Sequence, residues 1–440
     1  MAGVWRMIPA VSAHTLTSTE RRTLNILGLP TAALALAITV VTTYVPVAAN
    51  DFLDSSVVIG GLIAIEGVLA LWLPLVIGSW SDRLKTPIGG RLPFLIAGTP
   101  FAIVGLALMG IADSLPVMIV LVTIFFVAYF IAYEPYRALY PDLIRDEIAA
   151  RAQSTQAIWR GAGTGAALVG GGLLIAWGVV APFVGGAILF ALCMGLFLWV
   201  AIPRARADGR AQRRTSEAET VMEEAADLGS VLHGHPELRA YLVANALWEA
   251  SLGALKTFVF LYITIGLGQS RAASAGIVGG VALLVLPAAV ISGKLADRYG
   301  RLRAMAWVLP FYGIGMLIPA FTQSIAILIP VMIIAGFGGG LVMTLPYALL
   351  QPLMPRGRHG VLTGFYSLSR GIGTALGPLL AGIAIQYLDG PFSSTHGYSA
   401  MWLVCGGTIL LSLPALQRLR SLAEDRIDPD VGRSAQPAEG

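Results

Sequence analysis

Six ionisable residues interrupt otherwise apolar stretches of this 440-residue sequence: Glu66, Glu134, Arg160, Glu249, Lys256 and Arg370. A charged side chain in hydrocarbon costs roughly 2.5 to 3.5 kcal/mol even on insertion scales, so such groups face a cavity or a partner. With three acids and three bases, two chemistries are open: salt bridges that hold helices in register, or a polar path for an ion or solute. Glu66 is the sharpest case, near the centre of Ile63-Ala-Ile-Glu-Gly-Val-Leu-Ala-Leu-Trp72 and far from either end of its run. A carboxylate at that depth can take up and release a proton or a cation, and a coupling role is expected for it. Glu249 and Lys256 are seven residues apart, almost two helical turns, which puts both on one face about 10 Å apart. They are expected to line one cavity. Arg160 and Arg370 each stand beside a glycine run and could clamp an anion or hold Glu66 and Glu249. For Glu134, near the end of its apolar run, a structural ion pair has an equal claim.

Aromatic faces that could stack on a ring are Tyr44, Trp72, Trp159, Trp248 and Tyr262. In membrane helices such residues are more often core or interface. His233-Gly-His235 has no further ligands nearby and reads as a turn. No metal or cofactor is expected; the coupling ion would be H+ or Na+.

These groups need long apolar elements to position them. Apolar residues make up 56% and charged residues 12% of the chain, and mean hydropathy is +0.76. A soluble domain carries about 25% charged residues. A span takes about 20 apolar residues, and twelve can be drawn: 24–48, 57–79, 92–112, 116–138, 154–177, 182–202, 239–265, 273–293, 303–322, 324–350, 360–388 and 397–417. The 51 Gly and 25 Pro fall inside these runs, where neighbouring helices can re-satisfy the backbone. The expected fold is an all-α membrane protein with twelve transmembrane helices in two pseudo-symmetric six-helix bundles. Its parts would be an N-terminal tail 1–23, a bundle 24–202, a linker 203–238, a bundle 239–417 and a C-terminal tail 418–440.

Charge placement orients the chain. All but four of the 29 Lys and Arg (Arg160, Lys256, Arg271 and Arg370) fall on one side, while Asp51, Asp54, Asp113 and Asp389 fall on the other. The positive-inside rule then puts both termini in the cytoplasm of a multi-pass plasma-membrane protein. The net charge of +4 follows the membrane and gives no sign of nucleic-acid binding. No small-residue cleavage site ends a short apolar core, so no removable signal peptide is expected.

The two halves repeat one another. Gly78-Ser-Trp-Ser-Asp82-Arg83 matches Gly293-Lys-Leu-Ala-Asp297-Arg298 at an offset of 215. Glu134-Pro-Tyr136 matches Leu345-Pro-Tyr347 at 211, and Trp159-Arg160-Gly-Ala-Gly-Thr matches Ser369-Arg370-Gly-Ile-Gly-Thr at 210. Three matches in order indicate a duplicated six-helix unit.

The paired loops Gly78–Arg91 and Gly293–Arg303 resemble the signature loop of the major facilitator superfamily, and the resemblance covers all twelve expected helices. It implies a cytoplasmic gate that joins the halves in the outward-facing state. Gly78, Asp82, Arg83 and Arg91, with Gly293, Asp297, Arg298, Gly300 and Arg301, would be its residues. A narrower resemblance rests on Arg91-Leu-Pro-Phe94 and Pro135-Tyr-Arg-Ala-Leu-Tyr-Pro-Asp-Leu143. Both look like the glycoside-pentoside-hexuronide and sucrose-type branch, with Arg137, Asp142 and Arg151 as matching charged positions. Gln351 departs from that pattern, and so does the first helix, which lacks the polar residues of sucrose carriers. The fifth helix also lacks the proline-bearing motif of drug antiporters.

There is no GxxxxGK[ST] loop for ATP and no HExxH or comparable constellation for an intramembrane enzyme. The reading is therefore a secondary transporter of a small solute, monomeric in the bilayer, with cation-coupled sugar or glycoside import favoured. Proton-driven efflux of an amphipathic metabolite or drug is the alternative. A non-transporting assembly or sensor protein on the same scaffold is the alternative of another class.

Overall fold

A computed structural model describes residues 17–144, 148–208, 234–353 and 359–427. Helix α1 spans Ser18–Asn50, opening six residues before the expected span. The reason is a capping box: the Thr17 hydroxyl accepts from the Glu20 amide while the Glu20 carboxylate accepts from the Thr17 amide. Helix α2 (Ser56–Ala70) is capped by Ser55, and α3 (Leu73–Arg83) follows at a 41° bend, with Pro74 in its first turn. Then come α4 (Leu92–Met109), α5 (Leu115–Leu143) and α6 (Ala149–Gly165). The stretch expected as one span at 154–177 is broken: α6 gives way to a π turn at Ala166–Gly170, a short α7 (Gly171–Leu174) and a 3-10 turn at Ile175–Trp177. The glycines there offer little side-chain packing to hold one helical register. Helix α8 (Val180–Asp208) ends the first half.

The second half contains α9 (Pro236–Leu261), closed by a π turn at Tyr262–Gly266, then α10 (Arg271–Tyr299) and α11 (Arg301–Phe321). Gly300 alone joins α10 to α11 at φ +91°, a left-handed conformation that favours glycine. Helices α12 (Ile325–Thr344), α13 (Pro346–Leu350), α14 (His359–Tyr387) and α15 (Met401–Ile427) complete the chain. Among the described residues nine helices are long and apolar enough to cross a membrane, ten if α2 and α3 form one bent span. Their outer faces suit lipid: Trp177, Trp199, Phe321 and Tyr387 are each at least 74% exposed, a surface that would associate in water.

Within the first half, α1 packs on α6 and α8, and α4 packs on α5 and α8. Within the second, α9 packs on α15, α11 on α12 and α15, and α10 on α12. Helix α2 packs chiefly on α14, from the other half, and α14 is wedged between α2 and α9. Small residues allow this. A side chain on Gly60 would meet the Pro378 carbonyl, one on Gly67 the backbone of Gly371 and Ala375, and one on Gly382 the backbone of Ser56. Gly373 and Gly377 admit Ala246 and Ala250 of α9 in the same way. A second seam sets α7 and the preceding π turn against α10, with Gly172 facing Ala275. Most of the expected N-terminal tail, linker and C-terminal tail, and His233 with them, lie outside the described residues.

Candidate functional site: a charged seam between the halves

The close approach of α2 and α14 brings a carboxylate and a guanidinium together across the seam. Arg370 Nη2 lies 3.5 Å from Glu66 Oε1, with the Glu66 side chain 7% exposed and that of Arg370 31%. Glu249 and Lys256, on α9, are within electrostatic reach of Glu66, and Glu249 is within reach of Arg370 as well. Four of the six intramembrane charges therefore form one group: two carboxylates and two cations around the α2–α14–α9 contact. Ten residues of α2 separate Ser56 from Glu66, about 15 Å of helix, which is half the depth of a hydrocarbon core of ~30 Å.

Glu134 and Arg137 lie one turn apart on α5, 3.9 Å between charged atoms, and with Arg370 and Tyr366 they line a narrow cleft between the halves. Arg160, on α6, is exposed and within electrostatic reach of Tyr129, Tyr133 and Tyr136. Tyr133 in turn is within reach of both Arg160 and Arg370.

The aromatic side of the site differs from expectation. Trp248 is fully buried in the second half and donates its indole N–H to Ser412 Oγ at 2.8 Å. Tyr44 is buried, donates to the Ala167 carbonyl at 3.2 Å and packs edge-on against Phe260. Tyr262 is buried against Trp402. Trp72, at the α2–α3 bend, is half exposed. Trp159 packs over Gly28 and lines a surface pocket with Arg22 and Asn25. Tyr44, Trp248 and Tyr262 are thus buried in packing contacts, and Trp72 and Trp159 are the more accessible of the five. The rings beside the charges are Tyr129 and Tyr133, stacked with centroids 5.3 Å apart and 13° between planes, and Tyr347 and Tyr366, edge-on at 5.5 Å. Their sequence signal was the four-residue spacing Tyr129–Tyr133, continued by Arg137, which sets all three on one face of α5. Trp248→Phe is expected to lower the melting temperature of the purified protein, through the lost hydrogen bond and a small cavity worth ~1–3 kcal/mol. Its ligand affinity should stay within about twofold; a larger change measured by titration would return Trp248 to the site.

At one end of the bundle, polar contacts join the halves. Arg271 donates to Asp51 at 2.7 Å, Tyr398 Oη to Asn50 Oδ1 at 3.0 Å, and Ser55 Oγ to Gln386 Oε1 at 2.7 Å. At the opposite end, where the two repeated loops lie, three contacts are formed inside one half or the other. Arg91 donates to Asp82 at 3.2 Å, Arg301 to the Ala348 carbonyl at 2.9 Å, and Arg303 pairs with Glu424 at 2.9 Å.

The major facilitator superfamily profile matches residues 27–378 and 257–438. The chain belongs to the Major Facilitator Superfamily. It is a multi-pass membrane protein. Solved structures similar to this superfamily chain include a bacterial homolog of the human lysosomal transporter Spinster, inward-facing and unoccupied (TM-score 0.72, 15% identity, covering 93% of this chain and 99% of that one). A D-xylose-proton symporter is also similar (TM-score 0.70, 14% identity, 92% and 98%). At these identities the likeness is one of fold. Curated relatives include Multidrug resistance protein 3 of Bacillus subtilis, 34% identical over 93 residues, which are 21% of this chain and 18% of that protein. Another is Azole resistance protein 1 of Saccharomyces cerevisiae, 32% identical over 95 residues, 22% of this chain and 16% of that one. The matched segments thus span under a fifth of these relatives' lengths.

The signature-loop residues of this superfamily member are placed at the α3–α4 and α10–α11 junctions. Arg83 and Arg298 are exposed, the latter over the Tyr299 ring at 5.2 Å. A side chain on Gly78 would meet nothing within 4 Å, so no close helix approach depends on it. Gly300 acts through its backbone conformation instead. Gly293 and Asp297 lie on α10, Asp142 on α5 and Arg151 on α6; the side chains of Asp142, Arg151 and Asp297 are outside the described atoms.

Proposed function

We propose that the protein is a secondary active transporter that crosses the membrane twelve times and moves a small solute by rocking two six-helix bundles, 24–202 and 239–417, against each other. The observation that carries this reading is the Glu66–Arg370 pair, held at mid-depth between helices from opposite halves. Such a pair is costly to desolvate and strong only while both partners are charged. Loading a proton or Na+ onto Glu66 weakens its hold on Arg370, leaves Glu249 to compensate the guanidinium, and frees α2 to move against α14. That is a coupling device.

With both termini cytoplasmic, as the charge asymmetry argues, the end carrying Asp51–Arg271 and Asn50–Tyr398 faces outward. The contacts that join the halves there support an inward-facing state, with Asp82, Arg91, Arg298 and Arg301 as gate residues at the cytoplasmic end. Sugar or glycoside cargo is favoured by the Arg91–Phe94 and Pro135–Leu143 stretches, with Arg137, Asp142 and Arg151. Efflux of an amphipathic compound is the second reading, favoured by the similarity to Multidrug resistance protein 3. One cleft per chain suffices for either, so a monomer is the working unit.

Reconstitution in liposomes with an imposed proton or sodium gradient tests this. Gradient-driven accumulation of a solute supports it, and absence of exchange for every solute that binds would favour a non-transporting scaffold. Asp51→Arg is expected to loosen the outer closure, raising outside labelling of a cysteine placed in the cleft a few-fold, since an exposed ion pair is worth ~0–1 kcal/mol. The swap Asp51→Arg with Arg271→Asp should restore the labelling rate; if it does not, the pair is not a closure contact.

A further inference from the structure

The charges at the seam do not balance. Glu66 lies beside Arg370 and Glu134 beside Arg137, while Glu249 is within electrostatic reach of Arg370 and Lys256 within reach of Glu66. Arg160 has no carboxylate within salt-bridge distance among the described residues, and Tyr129, Tyr133 and Tyr136 are within its electrostatic reach. Four cations thus meet three carboxylates, and of the two arginines matched in the repeat only Arg370 has a carboxylate within ion-pair distance. An arginine inside a membrane bundle is expensive unless something negative or polar faces it. Its planar fork is matched to a carboxylate or a phosphate oxygen pair. Beside it stand the stacked rings of Tyr129 and Tyr133, the latter partly accessible, which offer a flat face at the seam.

We infer that Arg160, with Tyr133, forms a subsite for the anionic group of a ring-bearing organic monoanion, with the guanidinium on the carboxylate and the ring against the tyrosine. This rests on the transporter reading and names the class of its cargo. Arg370 does not serve the same purpose because Glu66 and Glu249 already compensate it. The two arginines, matched in the repeat, have separate duties: Arg370 belongs to coupling and Arg160 to recognition. The asymmetry follows from what each arginine meets: Arg370 has Glu66 and Glu249 around it, whereas among the described residues no carboxylate forms an ion pair with Arg160.

The test is binding to the detergent-purified protein, which needs no transport, with matched pairs that differ only in charge: phenyl glucuronide and phenyl glucoside, benzoate and benzamide, nicotinate and nicotinamide. At least one anion is expected to raise the melting temperature while its neutral partner does not, with affinity at least tenfold in the anion's favour. Arg160→Gln should abolish that preference, and Arg160→Lys should restore part of it. Trp248→Phe, whose indole N–H is spent on Ser412 inside the second half, should leave it in place, which separates a loss of recognition from a loss of stability. Equal binding of both members of every pair, no binding of any anion, or a preference that survives Arg160→Gln would overturn the assignment. A misfolded Arg160→Gln variant would be recognised by its elution profile, and Tyr133→Leu, which removes the ring and leaves the charge, then serves in its place: it should weaken the anions with flat rings more than it weakens acetate.

Discussion

Glu66→Gln is expected to abolish gradient-driven accumulation in liposomes while downhill exchange of the same solute continues. Glutamine keeps the shape and polarity of the side chain but can neither pair ionically with Arg370 nor release a proton. Removing one partner of a buried pair typically costs ~3–5 kcal/mol because the other charge is stranded. Here the loss should be smaller, since Arg370 remains partly accessible and keeps Glu249 within reach. The protein should therefore fold, melt a few degrees lower, and lose coupling. A drop in accumulation of at least about tenfold corresponds to ~1.4 kcal/mol of lost coupling free energy. Undiminished accumulation would remove Glu66 from the mechanism, and a variant in which exchange stops as well would make the pair a structural strut.

Gly67→Leu should be the most damaging single change in the seam. Any side chain there meets backbone atoms of Gly371 and Ala375, which cannot move aside as a flexible side chain would. Overpacking of this kind costs ~1–3 kcal/mol where the core can adjust, and a backbone obstacle on a helix facing another helix falls at or above that range. The same displacement would separate Glu66 from Arg370, one residue from each contact point, so stability and coupling should be lost together. Gly78→Leu is the control: its added side chain meets open space, and the melting temperature should change by no more than an exposed substitution allows, ~0.5 kcal/mol. Comparing the two by thermal unfolding in detergent decides whether the α2–α14 contact holds the halves together. Equal melting temperatures would mean that it does not.

Much of this could be read along the chain because hydrocarbon permits so few solutions. Apolar runs of sufficient length, sparse charges and the doubled Gly-x-x-x-Asp-Arg loops already pointed to a helical membrane protein of this superfamily, and to Glu66, Glu249, Lys256 and Arg370 as residues to examine. Helix ends that depend on local capping were partly legible, as at Thr17 and Glu20. The break after Gly165 was not, since the π turn at Ala166–Gly170 sits against α1 and α10, and those contacts are non-local.

What the sequence determined by itself was what lipid exacts from any chain: backbone satisfied within long apolar helices, with few ionisable groups among them. Pairing was decided only by tertiary structure. Glu66 and Arg370 are about three hundred residues apart, and nothing in either helix alone says that one will face the other. Nor could spacing tell that Trp248 would spend its indole N–H on Ser412 while Tyr133 came within electrostatic reach of Arg160, Arg137 and Arg370. A helix's periodicity reports which of its residues share a face. Which neighbour that face meets depends on small residues such as Gly67 and Gly371, whose fit is settled when two distant helices touch.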